Sequence, residues 1–110
     1  MRVYLPLTLT RLAEFHAAGS APAEVEKVAA VDESEEAEYA ALMTAADACG
    51  ELSAGSERRV VLAADVVDPA GDVPRRMWAS VHVDTSDDFD PEDDLAWYAV
   101  QEIPDLLAGP

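Results

Sequence analysis

Residues 58–83 read RRVVLAADVVDPAGDVPRRMWASVHV, and this stretch decides the fold. Its first part, residues 58–67, is a nearly continuous apolar run, which is typical of a strand that is covered on both faces. Residues 68–72 are rich in turn-forming side chains, and residues 73–83 then return with apolar and polar residues in alternation. The pattern therefore predicts an antiparallel hairpin between the two runs.

The alternation in the second strand assigns its side chains to two faces. Successive side chains of a strand point to opposite sides of the sheet. The predicted faces hold, on one side, Met77, Ala79, Val81 and Val83 and, on the other, Trp78, Ser80 and His82. Trp78 is thus expected on the same side of the sheet as His82.

In the first half of the chain, strands and helices are predicted to alternate. Residues 2–5 are rich in β-forming side chains and predict a strand. Thr8 is placed to cap a helix that ends at Gly19. The short valine-rich stretch at residues 24–31 predicts a second strand.

The longest helix is predicted to begin at Asp32 or Ser34 and to end at Gly50 or Leu52. Acidic residues crowd its first turns, where the helix dipole favours negative charge. Its apolar stripe at helical spacing comprises Tyr39, Leu42, Met43, Ala46, Cys49 and Leu52. We expect this stripe to pack into the core.

After the hairpin, residues 84–94 form a polar acidic loop, and residues 95–102 predict a last strand, with a helix as the alternative. Pro104 suits the first turn of a short C-terminal helix. The element order is then β-α-β-α-β-β-β plus that helix. Two crossover helices and one sheet imply a single α/β (α+β mixed) domain over residues 1–110, a two-layer or three-layer sandwich with a mixed sheet of about five strands.

Composition narrows the classes of partner. The chain has 110 residues, with 23 acidic and 7 basic side chains and a net charge of −16. Phosphate binding needs a basic face, so we expect neither nucleic acid nor an anionic membrane as a direct partner. A basic partner or a cation would be attracted. The single cysteine, the lack of a signal-peptide pattern and the lack of a long apolar segment predict a cytoplasmic protein.

The best candidate for a metal site combines His82 and Asp84, two residues apart on one strand, with Asp65 on the partner strand. One imidazole and two carboxylates suit a divalent metal. A histidine at the edge of a sheet and a solvated aspartate at a strand end would give the same pattern, and we favour that interpretation. We therefore predict no cofactor and no catalytic residue.

Two other candidates for chemistry are weaker. The 84–94 loop carries carboxylates that could bind calcium, but Phe89 and Leu95 fall where the usual loop needs a glycine and a ligand. Cys49 could act as a nucleophile with His16 or His82, but its place in the helix stripe and the acidic surroundings disfavour a thiolate. A role as a small core side chain is favoured.

Aromatic residues give the main surface prediction. If Trp78 and Trp97 face a side of the sheet without helices, a second copy of the chain or another protein must cover them, because exposed aromatic patches are unusual on monomers. Tyr98 joins them as a candidate interface residue. The alternative is that these side chains form an ordinary internal core.

The segments MRVYLPLT, EEAEYAALMTAADA, RRVVLAADV, VHVD and LAWYAVQEIPDLL together resemble a family of small uncharacterised proteins from actinobacteria. The likeness extends over nearly the whole chain. It implies a bacterial cytoplasmic protein, and it transfers no activity and no catalytic residue, because the family is a domain of unknown function.

Three functions are compatible with the sequence. We favour a non-enzymatic interaction or regulatory protein, because no set of acid, base and nucleophile converges and aromatic residues occur on both predicted faces of the sheet. The first alternative is a small metal-binding domain or enzyme that uses His82, Asp84 and Asp65. The second is an acidic protein that imitates nucleic acid and binds a basic protein.

Overall fold

A five-stranded sheet forms the centre of the protein in a computed structural model that describes residues 1–53, 58–85 and 94–108, leaving aside the side chains of residues 50–53. Its strands are β1 (Arg2–Leu7), β3 (Val28–Ala29), β4 (Val60–Asp65), β6 (Trp78–Val83) and β7 (Ala96–Tyr98), in the spatial order β3-β1-β4-β6-β7. Two short strands, β2 (Ser20–Ala21) and β5 (Val73–Pro74), pair separately. The helices are α1 (Leu9–Ala18), α2 (Glu35–Ser53) and α3 (Ile103–Ala108), and short 3₁₀ turns occupy Arg75–Met77 and Val100–Glu102.

Helices cover both faces of the sheet, so the protein has three layers. On one face, Leu12 and Phe15 of α1 and Ile103 of α3 pack against alternate residues of the strands. On the other face, Ala45 and Cys49 of α2 form a second cluster with the intervening residues. The α+β class, the five strands and the two main helices are confirmed. The apolar run of β4 is explained by this burial of both its faces.

The neighbouring strands pair antiparallel throughout the described residues, where we expected a mixed sheet. The reason is the position of β1, which lies between β3 and β4 and runs antiparallel to both. The two strands joined by α2 are therefore parallel to each other but not adjacent. The helix α1 leads to β2, which belongs to the small second sheet.

Both main helices begin as the sequence predicts. The Thr8 hydroxyl accepts a hydrogen bond from the Arg11 amide at 3.1 Å, and Gly19 ends α1 with a left-handed φ of 77°. At α2, the Ser34 hydroxyl accepts from the Ala37 amide at 3.1 Å. The Asp32 carboxylate in turn accepts from the Ser34 amide at 2.8 Å. Both candidate residues thus take part in starting the helix.

Two predicted strands outside the hairpin are shorter than expected. Residues 24–31 contribute only Val28–Ala29, because the chain before them turns: the Val25 amide bonds to the Pro22 carbonyl at 3.2 Å. Of residues 95–102 only Ala96–Tyr98 are extended, and a helical turn follows. The short terminal helix with Pro104 in its first turn is confirmed.

The predicted hairpin is confirmed as an antiparallel pair of β4 and β6. Its second strand is shorter than the predicted residues 73–83, because Val73–Pro74 pair with β2 and Arg75–Met77 form a 3₁₀ turn. The predicted faces of this strand are also wrong at Trp78. A bulge between β4 and β6 pairs Ala63 with Ser80 and Ala64 with Trp78, so Ala79 is an extra residue. The slip moves Trp78 to the face of Val81 and Val83, away from His82. Trp78 therefore belongs to the core beneath α1 and α3.

Candidate functional site

The outermost strand, β7, carries an exposed tryptophan. Trp97 stands opposite His82 of β6, on the face of the sheet that α2 covers elsewhere. The main strand contacts of the helix are with β1, β3 and β4, and β7 lies at the outer edge of the sheet, two strands beyond β4. Trp97 is consequently 63 % exposed.

Tyr39 links the start of α2 to the chain just before β7. Its hydroxyl donates a hydrogen bond of 2.8 Å to the Asp94 carboxylate, and that contact raises the pKa of Tyr39. One residue later, Leu95 packs against the cluster under α2, as Leu42 also does. Tyr39 is itself 53 % exposed. We call Tyr39, Asp94 and Trp97 the aromatic patch.

Both segments that build the aromatic patch lack positive charge. The sequence has no lysine or arginine between Lys27 and Arg58, and none after Arg76. These two stretches hold most of the 23 acidic residues of the chain. On the first turns of α2, next to Tyr39, lie Glu35, Glu36 and Glu38. Asp94 and these described glutamates therefore favour a cation near Tyr39.

The three aromatic residues expected at an interface have different environments. Trp78 is only 7 % exposed, and its indole nitrogen donates to the Val73 carbonyl at 2.9 Å. Tyr98 is half-buried and packs against the cluster beneath α1 and α3. Only Trp97 presents its ring to solvent. Trp78 and Trp97, which the sequence offers as one candidate interface, therefore lie on opposite faces of the sheet.

The three metal-site candidates are not brought together. Asp84 is buried and bonds to the Arg59 guanidinium at 2.8 and 2.9 Å. Asp65 binds Arg2 at 2.7 Å, at the other end of β4. His82 pairs with Val61, so Asp65 lies roughly 13 Å further along the strand at about 3.3 Å per residue. Across the described residues, no three His, Cys, Asp or Glu side chains form a group that could hold a metal.

His82 forms a hydrogen bond with its neighbour on the same face of β6. The Ser80 hydroxyl lies 3.0 Å from Nε2 of His82. Burial, followed by the positive charge of Arg2, lowers the pKa of His82, which favours a neutral ring. Ser80 itself is only 5 % exposed. This hydroxyl is therefore poorly placed to attack a substrate, although a serine beside a neutral histidine is the first part of a nucleophilic site.

The lowered pKa of His82 predicts a pH-dependent stability. Unfolding returns the pKa to its ordinary value of about 6.5. Below that value the unfolded chain binds a proton that the folded chain does not bind, so the free energy of unfolding falls with falling pH. Urea unfolding across this range, on wild type and His82→Gln, should show wild type losing stability relative to the variant as pH falls. A constant difference between the two proteins would contradict the expectation.

Cys49 and His16 lie on opposite sides of the sheet. Cys49 is buried under α2, where its thiol donates to the Val60 carbonyl at 3.1 Å and burial raises its pKa. His16 lies on α1, and the Arg75 guanidinium donates to its carbonyl oxygen. The core position expected for Cys49 is confirmed. The calcium-binding hypothesis for residues 84–94 falls mostly on residues 86–93, outside the described residues.

Tyr39 is more exposed than the sequence predicts: spacing assigns it to the buried stripe of α2, whereas its side chain is 53 % exposed. Asp94 lies in the acidic loop that the sequence predicts, but its hydrogen bond to Tyr39 could not be predicted from spacing. The signal at Tyr39 is the cluster of glutamates just before it, which is typical of a solvated surface.

Comparison with known proteins identifies a family but no activity. The model of DUF6912, described as a family of unknown function, matches residues 1–91. No curated protein and no solved structure matches. The match ends before Asp94 and Trp97, which follow it in the chain. Among the described residues, no helix has the length and apolar character needed to cross a membrane.

Proposed function

Because this chain belongs to DUF6912, a family whose function is unknown, we propose a function from the site itself: the protein is a non-enzymatic binding module that recognises a basic segment of another protein through the aromatic patch. The exposed ring of Trp97 is the observation that carries this proposal. Tryptophan is the residue type most enriched at the energetic centre of interfaces.

Charge indicates which partner fits. A lysine ammonium or arginine guanidinium over the face of an indole ring is attracted by the ring's negative face. Asp94 and the glutamates at the start of α2 would add opposite charges close to such a cation. A second copy of this chain, with its own net charge of −16, is disfavoured by repulsion. A partner in the cytoplasm would match the location expected from the single cysteine.

Binding is favoured over catalysis by the state of the polar residues. Asp84 and Asp65 already serve in ion pairs with Arg59 and Arg2. The Ser80 hydroxyl faces His82 from a nearly buried position. These residues have structural partners, whereas the rings of Tyr39 and Trp97 stand open to solvent.

A Trp97→Ala substitution is expected to weaken binding of a lysine- and arginine-rich peptide by at least about tenfold, because a central aromatic contact is lost. Isothermal titration calorimetry at low salt measures this. Val67→Ala is the matched control, because Val67 is also highly exposed but lies beyond the far end of β4. The control should bind the peptide like wild type. The free energy of unfolding of both variants should lie within about 0.5 kcal/mol of the wild-type value.

Two results would count against the proposal. If the wild-type protein does not bind the basic peptide at low salt, the proposed function is wrong. Equal binding by wild type and Trp97→Ala, lost in high salt, would instead support an acidic surface that imitates nucleic acid and acts by charge alone.

A further inference from the structure

We infer that the partner joins the sheet as an extended strand alongside β7, with a basic side chain placed over Trp97. The inference rests on the proposed function and specifies how the partner is held. In this mode main-chain hydrogen bonds to a sheet edge supply affinity, and alternate side chains supply specificity.

The edge of the sheet at β7 offers backbone groups for such pairing. In the described part of the chain, β7 pairs on one side only, with Val81, His82 and Val83 of β6. The next amide, that of Ala99, is already bonded to the Glu102 carboxylate at 3.2 Å. Among the described residues, no second strand pairs with the outward backbone groups of Ala96–Tyr98, and these groups are the ones we assign to the partner.

The side chains of β7 do not protect this edge. Natural sheets commonly guard an edge with lysine, proline or a bulge. The strand reads Ala-Trp-Tyr and contains none of these. Its three residues make it a short edge, and the acidic residues that flank it, Asp94 and Glu102, disfavour pairing with another acidic strand but not with a basic one. The opposite edge strand, β3, has two residues and is covered on one face by α2.

The two faces of the sheet define the sequence pattern of the partner. A residue opposite Trp97 would point to the α2 side, where cross-strand neighbours stand about 5 Å apart, and there a lysine or arginine meets the indole ring. Residues opposite Ala96 and Tyr98 would point to the side where Tyr98 packs on the core. Apolar side chains fit there. The partner segment should therefore alternate apolar and basic residues.

Backbone methylation separates strand addition from simple charge attraction. The probes are a seven-residue peptide of alternating valine and lysine and two versions N-methylated at every second residue. One version is methylated at the valines and the other at the lysines. A strand presents alternate amides to opposite edges, so each version blocks one edge and leaves the other free. All three peptides keep the same charges and side chains.

We expect one methylated peptide to bind at least about tenfold more weakly than the other, because only one edge bonds to β7. The other should stay close to the unmodified peptide. Equal affinity of the two methylated peptides overturns strand addition while leaving the proposed function intact. Failure of the unmodified peptide to bind overturns the proposed function and this inference together.

Discussion

Asp84→Ala is expected to lower the free energy of unfolding by about 3–5 kcal/mol, because it removes one partner from a buried ion pair. The Asp84 carboxylate accepts hydrogen bonds from the backbone amide, Nε and Nη2 of Arg59, at 2.8 to 2.9 Å. The Asp84 amide in turn donates to the Arg59 carbonyl at 3.1 Å. The substitution leaves the guanidinium buried without the carboxylate that balances its charge. Urea unfolding followed by circular dichroism measures the loss.

Two controls separate burial from charge. Asp65→Ala removes the exposed ion-pair partner of Arg2 and should lower the free energy of unfolding by no more than about 1 kcal/mol. A double variant, Arg59→Leu with Asp84→Leu, should be more stable than Asp84→Ala alone, because it removes both buried charges. Equal losses for Asp65→Ala and Asp84→Ala would show that burial of the pair does not matter.

Trp78→Ala should lower the free energy of unfolding by a similar amount, about 3–5 kcal/mol, because it leaves a large cavity in the core. Trp78 belongs to the core cluster that also contains Val66, Val73 and Val81, and the guanidinium carbon of Arg75 lies 5.6 Å from the centre of its ring. The substitution also removes the indole donor to the Val73 carbonyl. Chemical denaturation gives the free energy directly.

Trp97→Ala is the matched control for Trp78→Ala, since the same side chain is removed from an exposed position. This substitution should lower the free energy of unfolding by no more than about 0.5 kcal/mol. The two tryptophans then have opposite expected roles: Trp78 stabilises the fold and Trp97 binds the partner. Similar destabilisation by both substitutions would refute this division.

Local signals made much of the fold predictable. Thr8 and Gly19 mark the ends of α1 with chemistry that acts within one turn. The turn after β4 and the two apolar runs around it specify the hairpin in the same way. The bulge at Ala79 could not be predicted, because one extra residue leaves no mark in an alternating pattern and yet reverses the face of every residue beyond it. Trp78 was assigned to the wrong face for that reason.

Long-range geometry explains what the sequence could not provide about the site. Trp97 was a candidate from the start, but its exposure depends on where α2 ends its cover of the sheet. Spacing placed Tyr39 in the buried stripe, whereas the helix leaves that position in solvent next to Asp94. The distance between Asp65 and His82 depends on the register of β4 against β6. The spacing of His82 and Asp84 along one strand does not determine that register.

The two indole N–H signals of the protein test most directly whether Trp97 is the centre of the binding surface. They can be assigned in a two-dimensional proton–nitrogen spectrum with a Trp97→Phe variant, and the alternating valine–lysine peptide is then titrated in. We predict that the Trp97 signal moves progressively to saturation while the Trp78 signal, from a buried donor, stays in place. A bound peptide that leaves the Trp97 signal unmoved would contradict the assignment of this residue as the centre of the binding surface.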